Sequence, residues 1–252
     1  MSNSKKSDRE MTVDLDTLGV PIAIIISGVL IATIIFFASK NNKSSVDNGV
    51  GGETANVVDE DTSTPADSEI SIGDDPYLGN IETAKVAVID FSDYQCGHCE
   101  NHSTGVYQNI KKNYIDTGKI LYVFKEFPLS SVGQVGYMIA EGASCVFNLS
   151  DSETYAEYHK DGFFLNSRSE IVSLATSLGI NESEFNACLD EGKYRDEIEA
   201  DQTEGRGVGI SGTPGFVVGL IGENGVIENA TLIAGAYPYD TFANAIEKLL
   251  KE

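Results

Sequence analysis

Cys96-Gly97-His98-Cys99 is where the capacity of this chain for chemistry is concentrated. Two thiols separated by two residues can close a small disulfide ring, and so pass two electrons to or from another dithiol. The pair stands where an apolar, strand-like run, Lys85 to Phe91 (KVAVIDF), gives way to a helical pattern. That junction puts Cys96 at the first turn of a helix, where unpaired backbone N–H groups and the helix dipole favour an anion. A thiolate is such an anion, so Cys96 is the expected nucleophile and Cys99, one turn further on, the resolving thiol. His98 lies between them, where its charge or hydrogen-bonding capacity would stabilise the thiolate and make the disulfide a stronger oxidant. The competing use of a C-x-x-C is half of a zinc site. Zinc needs four ligands, and Cys145 and Cys188 form no second C-x-x-C, so no metal is expected. The redox reading also calls for no cofactor.

The elements that must hold this dithiol can be read on either side of it. Lys85–Phe91 is a strand, followed by a helix from Cys96 to about Thr117 with Cys99, Val106, Ile110 and Tyr114 at helical spacing. Lys119 to Phe127 (KILYVFKEF) is a second strand, ended by Pro128. From about 130 to 205 the pattern is helical throughout. Val135, Met138, Gly142 and Cys145 share one face there. Ser167-Arg168-Ser169-Glu170 resembles a capping box, and Asn181 opens the next helix. Strand signals return at Phe216–Val218 and at Val226–Ala234 around a Glu223-Asn224-Gly225 turn, before a last amphipathic helix capped by Asp240. The order β-α-β, helical block, β-β-α predicts an α/β, thioredoxin-like fold with a helical insertion between its two halves.

Composition and hydropathy bound the setting. The formal charge of −22 and pI near 4.3 exclude a nucleic-acid partner, because nothing basic is available to track a phosphate backbone. From Thr17 to Ser39 no residue is charged, and Leu18–Ala38 is almost wholly apolar, long enough to span a bilayer as a helix. Lys5, Lys6 and Arg9 precede the run and Lys40 and Lys43 follow it, a bias that leaves the N-terminus in the cytoplasm. Phe36-Phe37-Ala38 offers no small-x-small cleavage site, so the run reads as an uncleaved signal anchor. The expected organisation is a cytoplasmic tail at 1–16, a transmembrane anchor at 17–39, an acidic disordered linker at 40–73 and a globular domain at 74–252. Residues 44–75 carry nine acidic residues and no Lys or Arg, too polar to order themselves and self-repelling enough to extend. A catalytic domain outside the cytoplasmic membrane is also one in which disulfides persist.

Several phrases carry a family resemblance. Asp75-Pro76-Tyr77-Leu78-Gly79-Asn80, the run VAVIDFSDYQCGHC, Val123–Leu129 (VFKEFPL) and Gly207–Pro214 (GVGISGTP) together resemble the DsbA-like thiol–disulfide oxidoreductases of the membrane-anchored bacterial type. The resemblance covers roughly 74–252. It implies a proline kept cis beside the dithiol, which Pro214 matches, and an exposed backbone at Thr213 on which an extended client could pair. It also implies that Asp90, six residues before Cys96, is a buried acid under Cys99, placed to exchange a proton with that thiol; Lys125, on the next strand, is expected opposite Asp90, holding the local charge balance. The family commonly has Pro after its first cysteine. Here Gly97-His98 is more like the protein disulfide isomerases.

The remaining candidates are less directed. Cys145 and Cys188 are open to three readings: a structural disulfide between helices, two free buried thiols, or a second redox couple. His102 and His159 read as surface residues, and the Asn101 and Asn229 sequons as coincidental. The functional expectation is a membrane-anchored oxidoreductase that introduces disulfides into cysteine-containing secreted or surface proteins. A membrane quinone-linked partner, implied by the resemblance, would reoxidise it. The alternatives are a reductase or isomerase on the same site, and a chaperone-like module binding extended chains beside Pro214.

Overall fold

The computed structural model describes residues 69–251. The candidate anchor at 17–39 lies outside them, as does the linker up to 68. Among the described residues no helix is long and apolar enough to cross a membrane.

Two strands, β1 (Tyr77–Leu78) and β2 (Val86–Ser92), come first. β2 is buried at all of its positions, as its nearly continuous apolar sequence requires of a central strand covered on both faces. The chain crosses over through a long helix, α1 (97–115), into β3 (Ile120–Glu126), which pairs parallel to β2. Five helices follow: α2 (Val135–Leu149), α3 (Ser152–Asp161), α4 (Arg168–Ser177), α5 (Glu182–Glu191) and α6 (Arg195–Gly207). The chain then returns through β4 (Gly215–Ile221) and β5 (Ile227–Ala234) and ends in α7 (Tyr239–Leu249). The sheet order is β1-β3-β2-β4-β5, with β1, β4 and β5 antiparallel to their neighbours. This is a thioredoxin-like α/β fold carrying a helical insertion.

Because side chains alternate along a strand, the sheet has two separate apolar faces. Val86, Val88, Ile120, Tyr122, Phe124, Phe216 and Val218 join one core with α1, α7 and the helical insertion. Ala87, Ile89, Phe91, Leu121, Val123 and Val217 form the other with Ile70, Ile72, Val208 and Ile210. α6 closes over this second face at Gly205, where a Cβ would come within 2.9 Å of the Phe91 and Phe127 rings.

Local sequence accounts for most helix ends. Asp151 accepts from Thr154 N, Ser167 from Glu170 N, and Asn181 from Ser183 N and Glu184 N. Glu170 reaches back to Asn166 N, one residue before the cap that a full capping box would use. Asp240 is not the cap of the last helix. Pro238 holds that position and Asp240 lies in the first turn, where a carboxylate still complements the dipole. At the β4–β5 turn Asn224 and Gly225 both take left-handed φ, 55° and 75°, which these residue types tolerate.

Two expectations about α1 need correction. His102–Val106 and Lys111–Ile115 are π turns, flanked by α turns at Gly97–Asn101 and Tyr107–Ile110. A π turn adds a residue and advances the buried face by one position. Tyr107 is therefore buried, with Val106 half-buried against the same core, and His102, one turn on from Cys99, is buried with Ser103 rather than on the surface. His159 on α3 is buried too, its ring among Tyr94, Phe124, Tyr155 and Phe163.

The insertion is organised on α2, whose Tyr137, Ile139, Ala140, Ala143 and Val146 are all buried. Cys145 on α2 and Cys188 on α5 are joined by a disulfide with Cα atoms 6.1 Å apart, of the three readings the structural cross-link. It lies within the helical insertion.

Candidate active site

Cys96 is the N-cap of α1, with extended backbone, its N–H donating to Asp93 O at 3.0 Å. Its carbonyl accepts from Cys99 N and Glu100 N, which fixes the first turn. Asp93 organises the loop before it, its carboxylate accepting from Gln95 N at 2.8 Å and from Leu129 N at 2.9 Å. Cys96 is half-buried and Cys99 is buried, so one thiol of the pair is offered to solvent and the other is kept from it. Both are free thiols here. His98 stands exposed between them.

The Thr213–Pro214 peptide is cis, and Cys96 Sγ donates to Thr213 O at 3.3 Å. The proline loop and the outer thiol therefore lie side by side, at the start of β4. Exposed Phe164, whose N–H donates to Tyr94 O, approaches Gly97 from the insertion side.

Beneath the outer thiol the site is acidic and buried. Asp90 is 4% exposed. Its Oδ2 accepts from the Tyr122 hydroxyl at 2.8 Å and its Oδ1 has no partner. Burial raises its pKa to about 7, against the opposing effect of the Tyr122 hydrogen bond. The Cys99 thiol is also pushed far up, first by burial, with Cys96 and Asp90 adding to the effect of desolvation. A carboxyl that titrates near neutrality beside a thiol that resists ionisation is suited to exchange a proton with it.

Lys125 does not lie opposite Asp90. In the β2–β3 register Asp90 pairs with Phe124 and Lys125 with Phe91, so the lysine points from the other face of the sheet. There it is buried against Asp75, Asp201 at 3.0 Å and Glu204 at 2.8 Å. Burial would lower its pKa, but the carboxylates of Asp201, Asp75 and Glu204 together raise it.

Three polar groups near the site escape sequence reading. Tyr122 lies diagonally from Asp90 on the same sheet face, and its hydroxyl also meets His102 Nε2 at 3.0 Å. Glu126, buried at the end of β3, accepts from Tyr155 at 2.6 Å and Tyr94 at 3.2 Å, and its burial drives its carboxyl pKa up. The available signals were period two along β3, which puts Tyr122 and Glu126 on the Asp90 face, and the three-residue step from Cys99 to His102.

Comparison with known proteins agrees with this geometry. A family model described as thioredoxin matches residues 71–248. The chain therefore belongs to the thioredoxin family. Within that family it is DsbA-like. A putative protein-disulfide oxidoreductase of Rickettsia conorii is 27% identical over 181 residues, covering 71% of this chain and 61% of that protein. Disulfide bond formation protein D of Bacillus subtilis is 25% identical over 190 residues, covering 72% and 79% respectively. The crystal structure of alpha-DsbA1 from Wolbachia pipientis superposes with a TM-score of 0.62 at 28% identity, over 71% of this chain and 92% of that one. The chain spans less than two thirds of the length of the Rickettsia relative.

Proposed function

We propose that this chain is a thiol–disulfide oxidoreductase that introduces disulfides into cysteine-containing proteins outside the cytoplasmic membrane, to which it is anchored by residues 17–39. The observation that carries the reading is the division of labour in the dithiol: Cys96 accessible at a helix N-cap beside Thr213 O, and Cys99 buried over Asp90.

In the oxidised enzyme a client thiolate attacks Cys96 Sγ and the Cys96–Cys99 bond breaks. Cys99 leaves with the electron pair and takes a proton from Asp90. A second client thiolate then attacks the client sulfur of the mixed disulfide, the client leaves oxidised, and Cys96 is released as a thiolate. Its position at the N-cap, at the positive end of the α1 dipole, favours that charge. The client backbone would pair alongside Thr213, with exposed Phe164 giving an apolar rim. The enzyme leaves this cycle two electrons richer, so a membrane partner that passes electrons to quinone completes it.

Gly97-His98 in place of a Pro-containing dipeptide favours a second reading, a reductase or isomerase on the same residues. The reduction potential of the Cys96–Cys99 couple in glutathione buffers separates the two, with Cys145 and Cys188 followed independently by mass. Strong oxidants of this type lie near about −120 mV and thioredoxin near about −270 mV. A value toward the oxidising end is expected; one near that of thioredoxin transfers the assignment to a reductase.

A further inference from the structure

We infer that His102 is a positioning residue for the acid–base group beneath the dithiol: through the Tyr122 hydroxyl it sets the direction of the hydrogen bonds that Asp90 makes. The inference rests on the reading of Cys96–Cys99 as the redox pair.

Tyr122 has one hydroxyl proton and two neighbours, Asp90 Oδ2 at 2.8 Å and His102 Nε2 at 3.0 Å. The chain of hydrogen bonds can therefore run in two directions only. With Asp90 ionised, Tyr122 donates to the carboxylate and must accept from His102, which carries its proton on Nε2. With Asp90 neutral, a proton on Oδ2 is favoured, because it leaves the weaker imidazole donor unpartnered at Nδ1 in place of the stronger carboxyl O–H at Oδ1. It then donates to the Tyr122 oxygen, the Tyr122 proton turns to His102 Nε2, and the imidazole proton moves to Nδ1. The two states of Asp90 thus favour different tautomers of one buried histidine.

The surroundings leave His102 free to adopt either. Its Nδ1 has no hydrogen-bond partner, so no other group fixes the tautomer. Burial holds the ring neutral, lowering its pKa to about 3, with His159 a secondary cause. The ring itself is clamped between Phe216 of β4 and Phe242 of α7, with centroids 4.4 Å and 5.2 Å away. Asp90 is faced by Cys99 and Tyr107 from α1 and by Tyr122 from β3. Of the groups at Asp90, Tyr122 therefore links it directly to a neutral residue able both to give and to accept a proton.

The chemical consequence falls on the step at Cys99. As Cys99 attacks the mixed disulfide, its S–H proton passes to the Asp90 carboxylate, the Cys96–Cys99 bond forms, and the client leaves as a thiolate. In the opposite direction Asp90 returns that proton to the departing Cys99. A donor at His102 Nε2 strengthens the hold of Tyr122 on ionised Asp90 more than an acceptor there strengthens its hold on neutral Asp90, because the bond to the carboxylate is charge-assisted, so His102 on balance favours the ionised acid.

The test uses the full-length protein in detergent micelles, labelled with 15N-histidine; only three histidines contribute signals. The His102 resonances are expected to report the Nε2–H tautomer at about pH 9 and the Nδ1–H tautomer at about pH 5, exchanging as Asp90 titrates. One tautomer at both extremes overturns the inference, and this measurement needs no variant. In parallel, Cys99-dependent release of glutathione from the Cys96–glutathione mixed disulfide is followed against pH. H102F keeps a ring between Phe216 and Phe242 but offers Tyr122 no partner, and should move the pH midpoint up by about 0.5–1 unit. Y122F should move it further, and H102F should add nothing in the Y122F background. An H102F shift of equal size in both backgrounds would show a structural effect unconnected with Tyr122. Failure of the redox reading has a different signature: C99A releasing glutathione as fast as the wild type.

Discussion

Replacing Asp90 by Asn should make the protein more stable at alkaline pH while leaving it little changed in mild acid. The magnitude follows from burial. Asp90 titrates near 7 in the folded protein against an ordinary value of 3.8, so the folded state holds a proton that the unfolded chain has already released. Native protein then binds more protons than unfolded protein between these two values, and stability must fall as pH rises through that window. At about 1.4 kcal/mol per pH unit over roughly three units, the ionised carboxylate costs the fold about 4 kcal/mol at pH 8 and above. Asn cannot ionise. Its carbonyl can still accept from Tyr122, but its amide fills the place of Oδ1, which has no partner, at a cost of about 1–3 kcal/mol. The net expectation is a gain of about 1–3 kcal/mol for D90N at pH 8.5, shrinking to zero or reversing near pH 5. Urea unfolding of the reduced protein, followed by far-UV circular dichroism because the chain has no Trp, measures this directly. Parallel pH dependences for D90N and the wild type would refute the account, since the carboxylate would then be neither strained by burial nor able to take up a proton near neutrality. The same variant should resolve mixed disulfides at least tenfold more slowly, because its side chain can no longer move the Cys99 proton.

Two further outcomes follow from the fold. C145A/C188A should cost about 4 kcal/mol, the chain-entropy value for a loop closed over 43 residues, while leaving the potential of the Cys96–Cys99 couple in place; thermal unfolding and glutathione titration of one sample test both halves. K125M leaves Asp75 and Asp201 buried without their cation and should lose about 3–5 kcal/mol at neutral pH, recovering as pH falls and those two carboxyls protonate; denaturant midpoints that stay constant with pH would contradict this.

How far the sequence can be read depends on the range of the interaction. Lys85–Phe91 announces a central strand because its apolar residues are consecutive, and it forms β2 at Val86–Ser92. Ser167 and Asn181 announce helix starts because a cap is made within three residues of its own position. The first thiol is placed by the same local logic, at the boundary between strand and helix. β1 escaped notice since two residues carry too little pattern to be seen before they pair with β3.

The errors share a cause as well. His102 reads as a surface residue by its polar type, yet it lies one turn on from Cys99 on the same face of α1 and is buried with it. Lys125 was set against Asp90 because both are charged and lie on adjacent strands, yet the register offsets them by one residue and period two then puts them on opposite faces. Three acids from remote segments supply its real partners, including Asp75, fifty positions earlier in the chain.

The sequence alone determined that this chain carries a redox-capable dithiol at a strand–helix junction, in an α/β framework interrupted by helices, because each of those features is encoded within a few residues. Only the tertiary structure decided that Cys145 and Cys188 meet, and that Asp90, Tyr122 and His102 form one chain of hydrogen bonds. Those are contacts between β2, β3, α1, α2 and α5, and they depend on register, helix phase and desolvation, which no local window of sequence contains.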